Sequence, residues 1–229
     1  AIHIELPAAV FAERVANTVF VIDTELGALI LPGNTLADSP HRQAEKLVLS
    51  LARSHSGALP EQLQAQVGTR PVVQVHLKAD GKPATAWQPF QMALNYAPSQ
   101  AEQDALMHLG VKHVNGSLVR AIPDGSYNAK TGKMHFTVSD NGTYAVTFAA
   151  KDFVDMNKAE WAREIVKTLT AKGIVSGISD TSFSPDSTIR RADFVVMLMN
   201  TLGITVPFDE QFSDVSRDAY YYAHVGGAR

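Results

Sequence analysis

Up to residue 149 the apolar and polar positions alternate in short runs. Nine segments follow a period of two: IHIEL (2–6), TVFVI (18–22), ALIL (28–31), KLVLSL (46–51), VVQVHLKA (72–79), FQMALNY (90–96), LVRAI (118–122), MHFTV (134–138) and YAVTFA (144–149). That period sends successive side chains to opposite faces of an extended backbone, so each run predicts a half-buried strand. The segments ADGKP (79–83), NAKTGK (128–133) and SDNGT (139–143) stand between runs, and their Asp-Gly, Thr-Gly and Asn-Gly pairs suit tight hairpins that need positive φ. Strands at such spacing predict an all-β antiparallel sandwich, Ig-like, over residues 1–150. Two stretches interrupt the alternation and predict short helices, PAAVFAERVA (7–16) and SQAEQDALMHLG (99–110), the second with Ser99 as N-cap.

After residue 150 the period changes to 3.6. In NKAEWAREIVKTLTAKG (157–173) Trp161, Ile165, Val166 and Leu169 fall on one stripe, and Gly173 suits the left-handed position past a helix end. A loop rich in Ser, Asp and Pro follows at 176–188. The next segment, RRADFVVMLMNTLG, carries Phe194, Met197, Leu198 and Leu202 on one face before Gly203. The second part therefore reads as helix, loop, helix.

Composition narrows the function classes. With 45% hydrophobic and 19% charged residues the chain has the material for a real core. A formal charge of −3 gives no global pull toward nucleic acid, and no dense Lys/Arg run marks a basic patch, so any anion site must be local. The absence of cysteine excludes disulfides, thiol nucleophiles and thiolate metal sites. No apolar run reaches the roughly 18 residues of a membrane span, and the first residues do not read as a signal peptide. Both ends of the chain read as cuts in a longer polypeptide.

The sequence repeats itself. FVDMNKAEWAREIV (153–166) aligns with FSDVSRDAYYYAHV (212–225) at a constant offset of 59 residues, pairing Phe153 with Phe212, Asp155 with Asp214, Trp161 with Tyr220 and Val166 with Val225. One full unit is present and a second begins.

On these residues the chain resembles the S-layer homology repeat. That family's signature is an aromatic and Asp-Val opening, a Trp-Ala helix, a Gly-Ile-x-x-Gly turn, a Phe-x-Pro loop and a Thr-Arg-Ala-Glu start to the second helix. Residues 153–203 carry the corresponding segments in order. The resemblance divides the second part into repeat 1 (151–204) and the truncated start of repeat 2 (205–229). The β-rich part resembles, more loosely, the β-sandwich spacers found beside such repeats in exported surface proteins and polysaccharide-degrading enzymes.

The resemblance implies non-catalytic anchoring: extracellular, at the cell wall or S-layer, through secondary cell-wall polysaccharide that bears a pyruvate ketal. From composition and the missing motifs, no nucleic-acid partner, membrane insertion, cofactor or metal is expected. The resemblance also implies inter-chain association to complete a trimer of repeats. Arg191 occupies the family's arginine position, at the first turn of a helix, where a fork-shaped donor and free backbone N–H groups suit a carboxylate. The family's capping threonine is Arg190 here. Because Arg has no acceptor, half the capping box is lost, at a cost of about 1 kcal/mol, while Arg190 gains the option of a second anion contact. Trp161 and Tyr220 are candidates for sugar stacking, with Trp161 equally readable as a core residue. Asp155 is a candidate ligand contact or a helix-positioning acid, and Gly177 a backbone contact or a site of close approach. The other reading of Arg191 is a surface ion pair with Asp193 or Asp180.

Elsewhere the chemistry is thin. The eight histidines are scattered, and no metalloprotease, nucleophile-elbow, phosphate-loop or dinucleotide motif occurs. Glu5, Asp23 and Glu25 are carboxylates without a sequence reason to pair. No residue is assigned a catalytic role. Two rival readings remain: an accessory fragment of an extracellular glycoside hydrolase, and a β part that is itself a carbohydrate-binding module, for which Trp87, Phe90 and Tyr96 are the available aromatic cluster.

Overall fold

The period-two runs form strands. In the computed structural model, which describes residues 1–12, 18–149, 151–204 and 212–228, the chain divides into two units, Ala1–Phe148 and Ala149–Arg229. The first contains β1 (Ile2–Pro7), β2 (Val19–Thr24), β3 (Gly27–Pro32), β4 (Lys46–Ser54), β5 (Val72–Ala79), β6 (Lys82–Pro83), β7 (Phe90–Asn95), β8 (Leu109–Asn115), β9 (Leu118–Ile122), β10 (Ser126–Asn128), β11 (Lys133–Val138) and β12 (Gly142–Phe148).

These strands make two antiparallel sheets. One runs β1-β4-β5-β12-β8-β9, with β6 paired to β5; the other runs β10-β11-β7-β3-β2. Both sheets feed one hydrophobic cluster. Leu29, Leu31, Met92 and Phe136 come from the second sheet, and Leu47, Leu49, Leu51, Leu77 and Tyr144 from the first, all within 1% of full burial. The alternation is literal in β4, where Leu47, Leu49 and Leu51 are buried and the residues between them are not. Full burial of each such leucine contributes about 2 kcal/mol, an upper estimate against a compact unfolded chain. The sheets tolerate a close approach at Gly27, whose φ is +142° and where an added Cβ would stand 2.1 Å from the carbonyl oxygen of Ala93 on β7.

The helices of this unit differ from the period-based expectation. The 7–16 stretch forms a 3-10 turn at Ala8–Phe11, and positions 13–16 of that expectation lie outside the described residues. In 99–110 the helix is only α2 (Gln100–Gln103), after α1 (Glu61–Val67), followed by a 3-10 turn at Leu106–His108 and then strand β8 from Leu109. Ser99 is the N-cap, and its backbone N–H donates to Glu102 Oε2 at 2.6 Å. Glu102 also accepts from Tyr96 Oη at 2.7 Å and pairs with Arg70, so a nearly buried carboxylate is satisfied on every side. Helix α1 covers the outer face of the first sheet, where Leu59, Leu63 and Val67 meet Val72, Val114 and Ala145.

The second unit is helical. A run of 3-10 turns spans Val154–Ala162, α3 spans Arg163–Ala171, α4 spans Arg191–Leu202 and α5 spans Tyr222–Gly227. The single helix expected over 157–173 is thus two pieces, because Ala159 leaves helical geometry (φ −134°, ψ 52°). Its small core is Phe153, Met156, Ala159 and Val166, with Phe183 packed against it. Gly173 and Gly203 both take positive φ, 69° and 64°, at the ends of α3 and α4.

Candidate functional site

Helix α4 begins with the arginine pair. Arg190 is its N-cap, in extended geometry, and the backbone N–H of Arg190 donates to Asp193 Oδ2 at 3.0 Å. A guanidinium only donates, so this box is one-sided: Asp193 caps Arg190, and Arg190 cannot return the bond. The Arg190 side chain is 76% exposed and its Nε lies 3.8 Å from Asp193 Oδ2. Arg191 follows as the first helical residue and is exposed. Among the described residues it has neither a hydrogen bond nor an ion pair, whereas Asp180 pairs with Lys151 at 3.2 Å and Asp193 is engaged by Arg190.

The segment 212–228 meets this helix. The Tyr220 hydroxyl donates to Asp193 Oδ1, and one turn further on His224 Nε2 lies 3.2 Å from Asn200 Oδ1. The Tyr220 hydroxyl, and then the Arg190 N–H, hold the Asp193 carboxyl below the usual carboxylate range; the same bond pushes the Tyr220 phenol up. Arg190, Arg191 and Tyr220 therefore gather at one end of α4, around Asp193.

Asp155 and Gly177 gather elsewhere, on the Phe-Ser-Pro loop. Asp155 accepts the backbone N–H groups of Phe183 at 2.9 Å and Ser184 at 2.7 Å. The Phe183 bond, ahead of the Ser184 bond, lowers the Asp155 pKa. An added Cβ at Gly177 would stand 2.3 Å from the Phe153 ring and 2.5 Å from the Ser182 carbonyl oxygen, so this glycine serves close packing. Trp161 is 83% exposed, off the expected buried stripe, because the break at Ala159 resets the helical phase. It has no hydrogen-bond or ring partner among the described residues.

The aromatic cluster of the β unit is not a stacking platform. Trp87 and Phe90 are 7% and 1% exposed, inside the core, and Tyr96 is tied to Glu102. An open depression of about 560 Å³ lined by Pro60, Glu61, Gln62 and Ser117 carries no convergent titratable set. Among the described residues no group of three or more His, Asp or Glu side chains stands where it could hold a metal, and no helix is long and apolar enough to cross a membrane.

The sequence expectations do not include Asp193 as the point where Tyr220 meets α4. The 59-residue register contained the signal, since it brings a hydroxyl-bearing Tyr to the position where the first unit has Trp161.

A helix–loop–helix with residues 212–228 in contact with α4 is the architecture of this unit. Residues 152–195 match the S-layer homology domain. The chain is 32% identical over 98 residues to the amylopullulanase of Thermoanaerobacterium thermosulfurigenes, covering 42% of this chain and 5% of that protein. It is 34% identical over 65 residues to the exoglucanase XynX of Acetivibrio thermocellus, covering 28% of this chain and 6% of that protein. It is 35% identical over 75 residues to the surface-layer 125 kDa protein of Lysinibacillus sphaericus, covering 32% and 6%. The chain thus spans only 5–6% of the length of these relatives. It carries an S-layer homology domain, a cell-surface anchoring module, which locates it outside the cell at the wall or surface layer.

Proposed function

We propose that the helical unit anchors its parent protein non-catalytically to secondary cell-wall polysaccharide, and that Arg191 reads the carboxylate of a pyruvate ketal on that polymer. The observation that carries this reading is the exposed guanidinium at the first turn of α4, without an ion pair among the described residues and inside the matched S-layer homology segment. A carboxylate approaching there meets free N–H groups, the positive end of the helix and a fork of donors together. Arg190 adds a second cation. Tyr220 and Trp161 offer flat rings beside polar groups, Trp161 being open to solvent, and the Gly177 backbone lines the loop that Asp155 holds.

On this reading residues 151–204 form repeat 1, and 205–229 open repeat 2. Association between chains supplies the remaining repeats. The β unit, with two antiparallel sheets on a common core, serves as an Ig-like spacer over 1–150. A second reading, favoured by the amylopullulanase and exoglucanase relatives, makes the same anchoring chain an accessory part of an extracellular glycoside hydrolase. The test is co-sedimentation of the full chain with purified wall polysaccharide before and after mild-acid removal of the ketal pyruvate. Binding that needs the pyruvate supports the reading; equal binding to both polymers refutes the carboxylate part of it.

A further inference from the structure

We infer that Asn115 is a self-modifying site: its side-chain amide closes on the backbone nitrogen of Gly116 and ends as a carboxylate, while the fold blocks the same reaction at the chain's second Asn-Gly pair, Asn141 and Gly142.

The chemistry needs a primary amide that can turn and a following backbone N–H that nothing shields. Asn115 closes β8 and pairs with Leu118 on β9, which leaves Gly116 and Ser117 as a two-residue loop. Of these two only Gly116 takes positive φ, +59°, the pattern of a type II′ hairpin. Asn115, Gly116 and Ser117 are all exposed. Among the described residues neither the Asn115 side chain nor the Gly116 N–H has a hydrogen-bond partner, and an added Cβ at Gly116 would meet nothing within 4 Å. A hairpin tip of this kind opens locally at little cost, so amide and nitrogen can meet.

The reaction uses no co-reactant but water. The Gly116 nitrogen attacks Cγ of Asn115; a C–N bond forms, the Cγ–Nδ2 bond breaks, and ammonia leaves with the Gly116 amide proton. Water then opens the five-membered imide at either carbonyl, giving aspartate or the isomer whose backbone runs through Cβ and Cγ. Nothing is oxidised or reduced.

Asn141 has the same neighbour and the opposite surroundings. Its Oδ1 accepts the Leu77 N–H at 2.6 Å, and its Nδ2 donates to the carbonyl oxygens of Leu77 at 3.3 Å and Ala84 at 3.0 Å. Turning that amide breaks all three bonds. Gly142 is wedged as well, since an added Cβ there would stand 2.5 Å from His113 Nε2 and 2.7 Å from the Val114 carbonyl oxygen. The fold holds one amide and releases the other.

Modification at Asn115 has neighbours to act on. It adds a negative charge two residues from Ser117, which lines the same open depression as Glu61. The isomer also lengthens by one carbon the backbone between Val114 and Val119, which pack beneath α1.

The experiment incubates the full chain in mildly alkaline buffer, folded and in concentrated guanidinium chloride, and follows both Asn-Gly peptides by mass spectrometry for exchange of amide for acid. An isoaspartyl methyltransferase with labelled methyl donor marks the isomer. In the folded chain Asn115 should react at least about tenfold faster than Asn141, the factor that the hydrogen bonds on Asn141 impose. In denaturant the two rates should converge, and Asn115→Gln should remove the folded-state signal. A folded-state ratio below about tenfold overturns the inference. The same ratio persisting in denaturant overturns it too, since the fold would then not be what protects Asn141.

Discussion

The Asp155 carboxylate accepts the Ser184 backbone N–H at 2.7 Å, across 29 residues of chain, while Ser184 itself sits at a φ of +65°. A non-glycine residue in that region is strained, and the carboxylate, together with its bond to Phe183 N–H, fixes the loop that leads into α4. The aspartate that opens the repeat thus acts on the loop before the arginine pair.

Asp155→Ala should lower the melting temperature of the helical unit and leave that of the β unit unchanged. Acid should act in the same direction. The Asp155 pKa is depressed in the folded state, so the unfolded chain binds more protons, and the stabilisation is present above about pH 4 and lost as pH falls through the lower folded value. Thermal melts of parent and variant from pH 7 to pH 3 check this: the gap between them should narrow toward the acid end.

Gly177→Ala should destabilise the helical unit by about 1–3 kcal/mol, the range for overpacking, since the new methyl would meet the Phe153 ring and two carbonyl oxygens at once. Denaturant melts followed by the loss of helical circular dichroism measure it. A neutral result would mean that the loop yields easily.

His113 makes the β unit sensitive to mild acid. It is 1% exposed, its Nε2 lies 3.1 Å from the Asn141 carbonyl oxygen, its ring is against Tyr144, and Nδ1 has no hydrogen-bond partner among the described residues. Burial, and then the nearby Arg120 guanidinium, push its pKa below the ordinary value of about 6.5, against opposing contributions from the Asn141 carbonyl and Asp140. The folded state therefore binds fewer protons than the unfolded one. Stability is full above about pH 6.5 and falls as pH drops toward the folded value. An NMR titration of His113 in the folded protein should give a midpoint below the ordinary value of about 6.5; a midpoint at or above that value contradicts the prediction.

Glu102 and Arg70 form the buried charge pair of the β unit, with Glu102 3% exposed and Arg70 lying 5.2 Å over the Phe148 ring. Arg70→Met strands the carboxylate and should cost about 3–5 kcal/mol, whereas changing both residues together to apolar ones of similar volume should cost much less. Chemical denaturation of the single and double variants separates the two outcomes.

The strands were legible where one face is wet, as in β4 and β11, because alternation survives there. Strand β8 was not. Val111 faces the main core and Val114 faces the cluster under α1, so both faces of β8 are covered and the alternation vanishes. The helix-forming residues just before it extended the apparent helix to Gly110. In the helical unit the caps were legible from Gly173 and Gly203, but the phase of the first helix was not, since nothing local at Ala159 announces a break, and Trp161 turned outward as a result. At the site, Arg190 and Arg191 could be read from the motif. The Tyr220–Asp193 bond could not, because it joins residues 27 apart through the packing of α5 on α4.

The central claim, that Arg191 reads a carboxylate on the wall polymer, is tested most directly by measuring the affinity of the parent and Arg191→Ala chains for purified pyruvylated polysaccharide side by side. The account predicts a loss of about 1.5–3 kcal/mol, the range for a hydrogen bond to a charged group, with Arg191→Lys recovering only part of it because the charge remains and the fork does not. Affinity that is the same in Arg191→Ala as in the parent would contradict it.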